Sequence, residues 1–201
     1  DQKKALRFML GVGEYSYTQT KSQLSVNLNT GKGKTYVSIG TIMQTGIKSA
    51  IITYSRSVLL QWKTRILEYT NIKPREIYEL EGSGSIMRLM QKSEAEIKQI
   101  KVYLVSHGTL RSYACGWEKI RELFKVMRVG IKFYDEAHQN FDNMMMVDFF
   151  SDVYKTYYIT ATMMRSDPDE NRIFQTSFKN VPGIDLFHND SDPHTAYIAM
   201  R

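Results

Sequence analysis

The stretch Ser25-Val26-Asn27-Leu28-Asn29-Thr30-Gly31-Lys32-Gly33-Lys34-Thr35 constrains the fold more than any other part of the chain. Val26 and Leu28 read as a strand leaving a core, and the loop from Asn29 to Gly33 breaks it. Lys34 and Thr35 then open a helix whose apolar residues include Val37, Ile39 and Met43. A strand, a glycine loop, a lysine with a hydroxyl and a helix make the pattern of a phosphate-binding loop. Gly31 and Gly33 permit backbone angles that turn successive N–H groups inward around phosphate oxygens. The helix N-terminus adds the positive end of its dipole. Lys34 would reach the β- and γ-phosphates, and the Thr35 hydroxyl would ligate Mg²⁺. Asn29, Thr30, Gly31, Lys32, Gly33, Lys34 and Thr35 are therefore the candidate nucleotide-binding residues. The general pattern has glycine where this chain has Leu28, so an ordinary glycine turn before a basic helix start stays open on this stretch alone.

Periodicity elsewhere alternates strand with helix. Helices are expected over 2–10, from Lys34 to a C-cap near Gly46, and over 58–68, where Leu59, Trp62 and Ile66 share a face. Further helices are expected over 86–100, around Trp117 to Met127, and over 140–153. Strands are expected at 50–54, 76–80, 102–105, 130–135 and 157–159, the last leading into Thr160. Residues 14–22 read as an irregular loop and 82–84 as a turn. Asp167, Pro168 and Glu170 supply N-cap, N1 and N3 for one more helix. This alternation implies an α/β fold, a mostly parallel sheet with helices on both faces. Ligands of such sheets bind at the carboxyl ends of the strands. The glycine loop, Asp135 and Thr160 all fall there.

With 201 residues, 42% of them hydrophobic and 24% charged, the chain has the composition of one soluble globular domain. No apolar run reaches membrane-spanning length, and Asp1-Gln2-Lys3-Lys4 is no secretory leader. The missing initiator Met suggests a piece of a longer protein. The single Cys115 excludes internal disulfides and fits a reducing, cytoplasmic setting (the host cytoplasm for a viral protein). The net charge of +6 favours an anionic partner such as nucleic acid.

Asp135-Glu136-Ala137-His138 follows an apolar strand. Asp135 could hold Mg²⁺ through its water shell, and Glu136 could orient or deprotonate an attacking water. An acidic N-cap pair ahead of the next helix is the other reading of the same residues. Taken together, the glycine loop, D-E-A-H at one strand end and T-A-T (Thr160 to Thr162) at the next resemble the first motor domain of helicase superfamily two. The resemblance is to the DEAH-type branch that includes phage and restriction-enzyme helicases. That family's loop often reads x-x-T-G-x-G-K-T, which Leu28 to Thr35 fits.

The resemblance implies a single RecA-like ATP-binding domain over 1–201, with ATP and Mg²⁺ as cofactors. Lys34, Asp135, Glu136 and His138 would be catalytic, with Thr35 and Asp135 at the metal. Gln2 would read the adenine edge. Thr160 and Thr162 would couple ATP state to movement, with His138 as their partner. Ser55 and Arg56, in one motif, and Ser106, His107 and Thr109, in another, would touch the nucleic-acid backbone. The expected partners are DNA rather than RNA and a second RecA-like domain of the same full-length protein. That domain would carry the arginine finger, so this chain alone should hydrolyse ATP barely at all. A viral DNA-packaging ATPase, a nucleic-acid-binding module of this fold without ATPase activity and a small-molecule kinase are the alternatives.

Overall fold

The computed structural model describes residues 1–29, 31, 33–113, 117–161 and 166–186. The chain opens with α1 (Gln2–Leu10), which Gly11 ends in a left-handed conformation at φ 67°. Strand β1 (Gln23–Leu28) leads into α2 (Lys34–Thr45), and β2 (Ser49–Thr53) into α3 (Arg56–Tyr69). After β3 (Ile77–Leu80) come α4 (Ser83–Met90) and α5 (Glu94–Gln99). Next, β4 (Val102–Ser106) is followed by α6 (His107–Tyr113) and α7 (Trp117–Met127). Finally β5 (Ile131–Asp135) precedes α8 (Phe141–Phe150), and β6 (Lys155–Thr160) precedes α9 (Pro168–Phe178) and β7 (Gly183–Leu186).

The strands form one sheet in the order β3-β4-β2-β5-β6-β1-β7, and each neighbouring pair is parallel. Period-two alternation sorts their side chains between two cores. Val26, Ile51, Phe133 and Tyr157 face α1, α2 and α3, meeting Phe8, Val37 and Leu59. Ile52, Tyr134 and Tyr158 face the opposite layer, meeting Leu89, Leu110, Met144 and Phe174. Strands buried on both faces read as continuous apolar runs, which is why Ala50-Ile51-Ile52 and Val102 to Val105 announce themselves in the sequence. The expected α/β architecture is the observed one.

Local departures have local causes. Residues Gly13–Thr18 form a 3₁₀ turn rather than an irregular loop. Thr18 anchors it, donating to the Phe8 carbonyl at 2.8 Å and accepting from buried Lys155 at 2.9 Å through its own carbonyl. The helix expected over 86–100 breaks in two at Ser93, which caps α5. Its N–H donates to Glu96 Oε2 at 2.8 Å while its hydroxyl accepts from the Glu96 N–H. Gly82 is an N-cap with φ 77°, so α4 begins where a turn was expected. Asp167 caps α9 as expected, accepting from the Glu170 N–H at 2.9 Å. Helix α6 and strand β7 were not foreseen.

One polar knot sits inside the second core. Lys132, 1% exposed, pairs with Asp148 and donates to the Ser151 hydroxyl at 2.6 Å. Asp148 also accepts from the Tyr134 hydroxyl at 2.6 Å and from Tyr158. Burial lowers the Lys132 pKa and pushes both tyrosines up.

Candidate nucleotide site

Strands β1, β6 and β5 lie side by side, and their register levels their carboxyl ends. Asn27 stands opposite Thr160, and Ile159 opposite Asp135. The glycine loop therefore comes down beside both the D-E-A-H run and the threonine strand. Gly33 caps α2 with φ 95°, and a Cβ there would collide with the Gln2 carboxamide. Only glycine lets α1 approach the loop so closely. Gln2, 7% exposed, is thus held against the loop rather than on a solvated helix face.

The Lys34 side chain is largely buried and makes an ion pair with Glu136. Glu136 takes up the left-handed conformation at φ 53°, unusual for a residue with a side chain. Backbone bonds on either side brace it: the Ala137 N–H donates to the Ile159 carbonyl at 3.1 Å, and the Gln139 N–H to the Glu136 carbonyl at 2.8 Å. His138 Nδ1 lies 2.7 Å from Thr160 Oγ1 and 3.4 Å from Glu136 Oε2. A continuous polar line thus runs from Lys34 through Glu136 and His138 to Thr160. The acidic pair is no helix cap, because Asn140, not Asp135 or Glu136, is the N-cap of α8.

Asp135 accepts a hydrogen bond from the Trp62 indole at 2.9 Å. Burial pushes its carboxyl pKa up, and the negative Glu136 adds to that. The Trp62 N–H, the Lys34 charge and the Glu136 backbone N–H pull the other way. A cleft of about 680 Å³ opens here, lined by Gly33, Lys34, Thr35, Asp135, Trp62 and, farther along α3, Arg65. Thr35 and Asp135 line the same cleft, a hydroxyl and a carboxylate that could both serve a phosphate-bound Mg²⁺. Among the described residues no cluster of three or more His, Cys, Asp or Glu could hold a metal alone. Mg²⁺ at a nucleotide needs none, since phosphates and waters fill most of its shell. The residues fit the ion.

The remaining expected residues divide. Asn29 is buried beside the loop, while Thr30, Lys32 and Thr162 lie outside the described residues. Ser55 caps α3, accepting from the Val58 N–H at 3.4 Å, and exposed Arg56 pairs with Glu81 at 3.4 Å, both at the carboxyl edge. His107 and Thr109, expected with Ser106 to touch a nucleic-acid backbone, have buried side chains. His107 is 4% exposed, stacks on Tyr134 at 5.9 Å and meets Asn143 at 2.8 Å. Thr109 accepts from the Gly82 N–H at 2.7 Å, and Ser106 accepts from the Thr109 N–H at 3.4 Å. These groups lock the start of α6 to α4 and α8. Trp62 went unrecognised as a site residue. Its signal was there, since a buried indole N–H requires an acceptor.

The fold is that of an α/β domain of the RecA-like kind. A family model described as "Type III restriction enzyme, res subunit" matches residues 1–165, and the chain belongs to that family. It is 25% identical over 144 residues to a "Putative DNA 3'-5' helicase Rad25" of Haloarcula marismortui, matching 72% of this chain and 20% of that protein. The UvsW helicase of bacteriophage T4 superposes with a TM-score of 0.61 at 14% identity, covering 91% of this chain and 57% of that one. A hypothetical ATP-dependent RNA helicase of Sulfolobus tokodaii gives 0.57 at 21% identity, over 92% and 56%. The Hef helicase domain of Pyrococcus furiosus gives 0.57 at 16%, over 89% and 39%. These likenesses show the fold that the chain shares with the matched parts of those proteins. The chain spans a fifth of the length of its curated relative and about half that of the first two solved structures. Among the described residues no helix is long and apolar enough to cross a membrane.

Proposed function

We propose that this chain is one RecA-like domain of a cytoplasmic, nucleic-acid-dependent motor, binding MgATP at the glycine loop and hydrolysing it together with a second such domain of the same protein. The observation that carries the reading is the Lys34–Glu136 ion pair, with Lys34 and Asp135 lining one cleft. On this reading it would join the cation of a phosphate-binding loop to a carboxylate of the D-E-A-H run across 102 residues of sequence. Lys34 has three N–H donors, so it can hold Glu136 with one and phosphate oxygens with the others. Thr35 and Asp135 would hold Mg²⁺, which neutralises charge on the β- and γ-phosphates when bound. Glu136 would orient and deprotonate the attacking water, and Gln2 would meet the adenine. His138 and Thr160 pass the state of Glu136 to β6.

DNA is the expected track, as in the name of the Haloarcula relative, although the Sulfolobus neighbour is called an RNA helicase. Arg56 and Ser55, at the carboxyl edge, are the candidates to touch its backbone. The resemblance of the motif set to phage and restriction-enzyme helicases supports the DEAH-type branch. Titration calorimetry with MgADP tests the core of this reading. Wild type should bind and Lys34→Ala should bind far more weakly, because the loop loses its mobile cation. Equal affinities would refute it.

A further inference from the structure

We infer that Trp62 is a positioning residue for Mg²⁺: its indole N–H fixes one oxygen of Asp135 and thereby orients the other toward the ion at the phosphate loop. This rests on the nucleotide-site reading above and extends it to a residue on a different helix. Trp62 stands in the middle of α3 and is 3% exposed, so its ring packs in the first core with Leu59 and Ile66. Packing alone would be satisfied by any large apolar ring. The indole, though, carries one donor and no acceptor, and it spends that donor on Asp135 Oδ2 at 2.9 Å. Asp135 and Trp62 line the same cleft as Gly33 and Thr35.

A carboxylate at a strand end can rotate about its last bond, and a terminal sp³–sp² torsion is broad. Tying one oxygen to a ring locked in the core removes that freedom. It also leaves Oδ1 as the oxygen that an ion's water shell can use. Partners that orient a metal-holding group typically matter by ~10–100-fold in metal affinity or activity. The same bond ties α3, capped by Ser55 and opened by Arg56, to the end of β5.

Two measurements separate positioning from packing. Binding of a fluorescent ADP analogue is followed first in EDTA, then against rising Mg²⁺, in wild type, Trp62→Phe, Asp135→Asn and Lys34→Ala. Trp62→Phe should keep the EDTA affinity within about twofold while raising the Mg²⁺ midpoint by about tenfold or more. Asp135→Asn should abolish most of the Mg²⁺ response. A midpoint in Trp62→Phe equal to wild type overturns the inference, as does a loss of EDTA affinity with the Mg²⁺ response intact, the mark of a purely structural role. Should the smaller ring unfold the chain, benzothienylalanine at position 62 keeps the indole outline with sulfur in place of N–H, and the same two criteria apply. Failure of the parent reading looks different. Wild type would then bind no nucleotide, or Lys34→Ala would bind as well as wild type, and either result removes the inference with it.

Discussion

Replacing His107 by glutamine should flatten the acid side of the stability curve. The imidazole is sealed between Tyr134 and Asn143, and burial holds its pKa at about 4 against an ordinary 6.5, with the charge of Asp148 acting weakly the other way. The Asn143 amide donates to Nδ1, so the native ring is neutral there. A depressed histidine pKa means that the unfolded chain takes up a proton before the folded chain does. The stability contribution is therefore complete above pH 6.5, is lost as pH falls toward 4, and levels off below it. Linkage gives a loss of about 3 kcal/mol in all, and about 2 kcal/mol between pH 7 and pH 5. Glutamine offers an acceptor for Asn143 but does not titrate. Urea unfolding of both chains at pH 7 and pH 5 cancels the carboxylates common to them. Wild type should lose about 2 kcal/mol more than His107→Gln over that interval. Equal losses would show that His107 is protonated in place or solvated, and the buried role assigned to it in anchoring α6 would fall.

In the full-length protein, Glu136→Gln should keep nucleotide binding and lose about a hundredfold or more in steady-state ATP turnover, since the amide keeps the shape without the base. Asp148→Ala should destabilise by about 3–5 kcal/mol in denaturant titrations, because it strands the buried Lys132 ammonium. Gly33→Ala combines an unfavourable φ of 95° with a clash against Gln2, so calorimetry should register lost nucleotide affinity before any loss of fold. If Arg56 touches a single strand, Arg56→Ala should lower the log–log salt slope of binding in the full-length protein by about 0.7.

The sheet was legible because its strands are buried on both faces and so spell themselves out as apolar runs between glycine or polar breaks. The candidate site residues could be named for a different reason. A phosphate-binding loop asks for glycines such as Gly31 and Gly33, and a strand-end acid for Asp135 or Glu136, each within a short run of sequence. What stayed hidden depends on contacts distant in sequence. The Trp62 donor finds Asp135 73 residues away, and nothing at i+3 or i+4 betrays it. Helix α6 was missed because Ser106-His107-Gly108-Thr109 looks like a polar loop until Asn143, Gly82 and Tyr134 supply its partners. Strand β7 is short and half exposed, with the weak pattern of an edge.

The polar knot sits just beneath the strand ends that carry Asp135 and Thr160. Tyr134 and Tyr158 stack at 5.6 Å with an interplanar angle of 10°, and Asp148 accepts from both hydroxyls. One residue beyond Tyr134 is Asp135, and two beyond Tyr158 is Thr160. Strands β5 and β6 are thereby cross-linked from beneath by a carboxylate whose own charge is balanced by Lys132. Sliding one strand past the other would break charge-assisted bonds in a dry core, each worth roughly 1.5–3 kcal/mol. The freedom left to the site begins after Asp135. There Glu136 holds a left-handed backbone angle of the kind that costs about 1–3 kcal/mol, and its carboxylate is held by Lys34 on one side and His138 on the other. On the proposed reading, a ligand at Lys34 would act first on Glu136 and then through His138 on Thr160, while the strand ends beneath stay fixed.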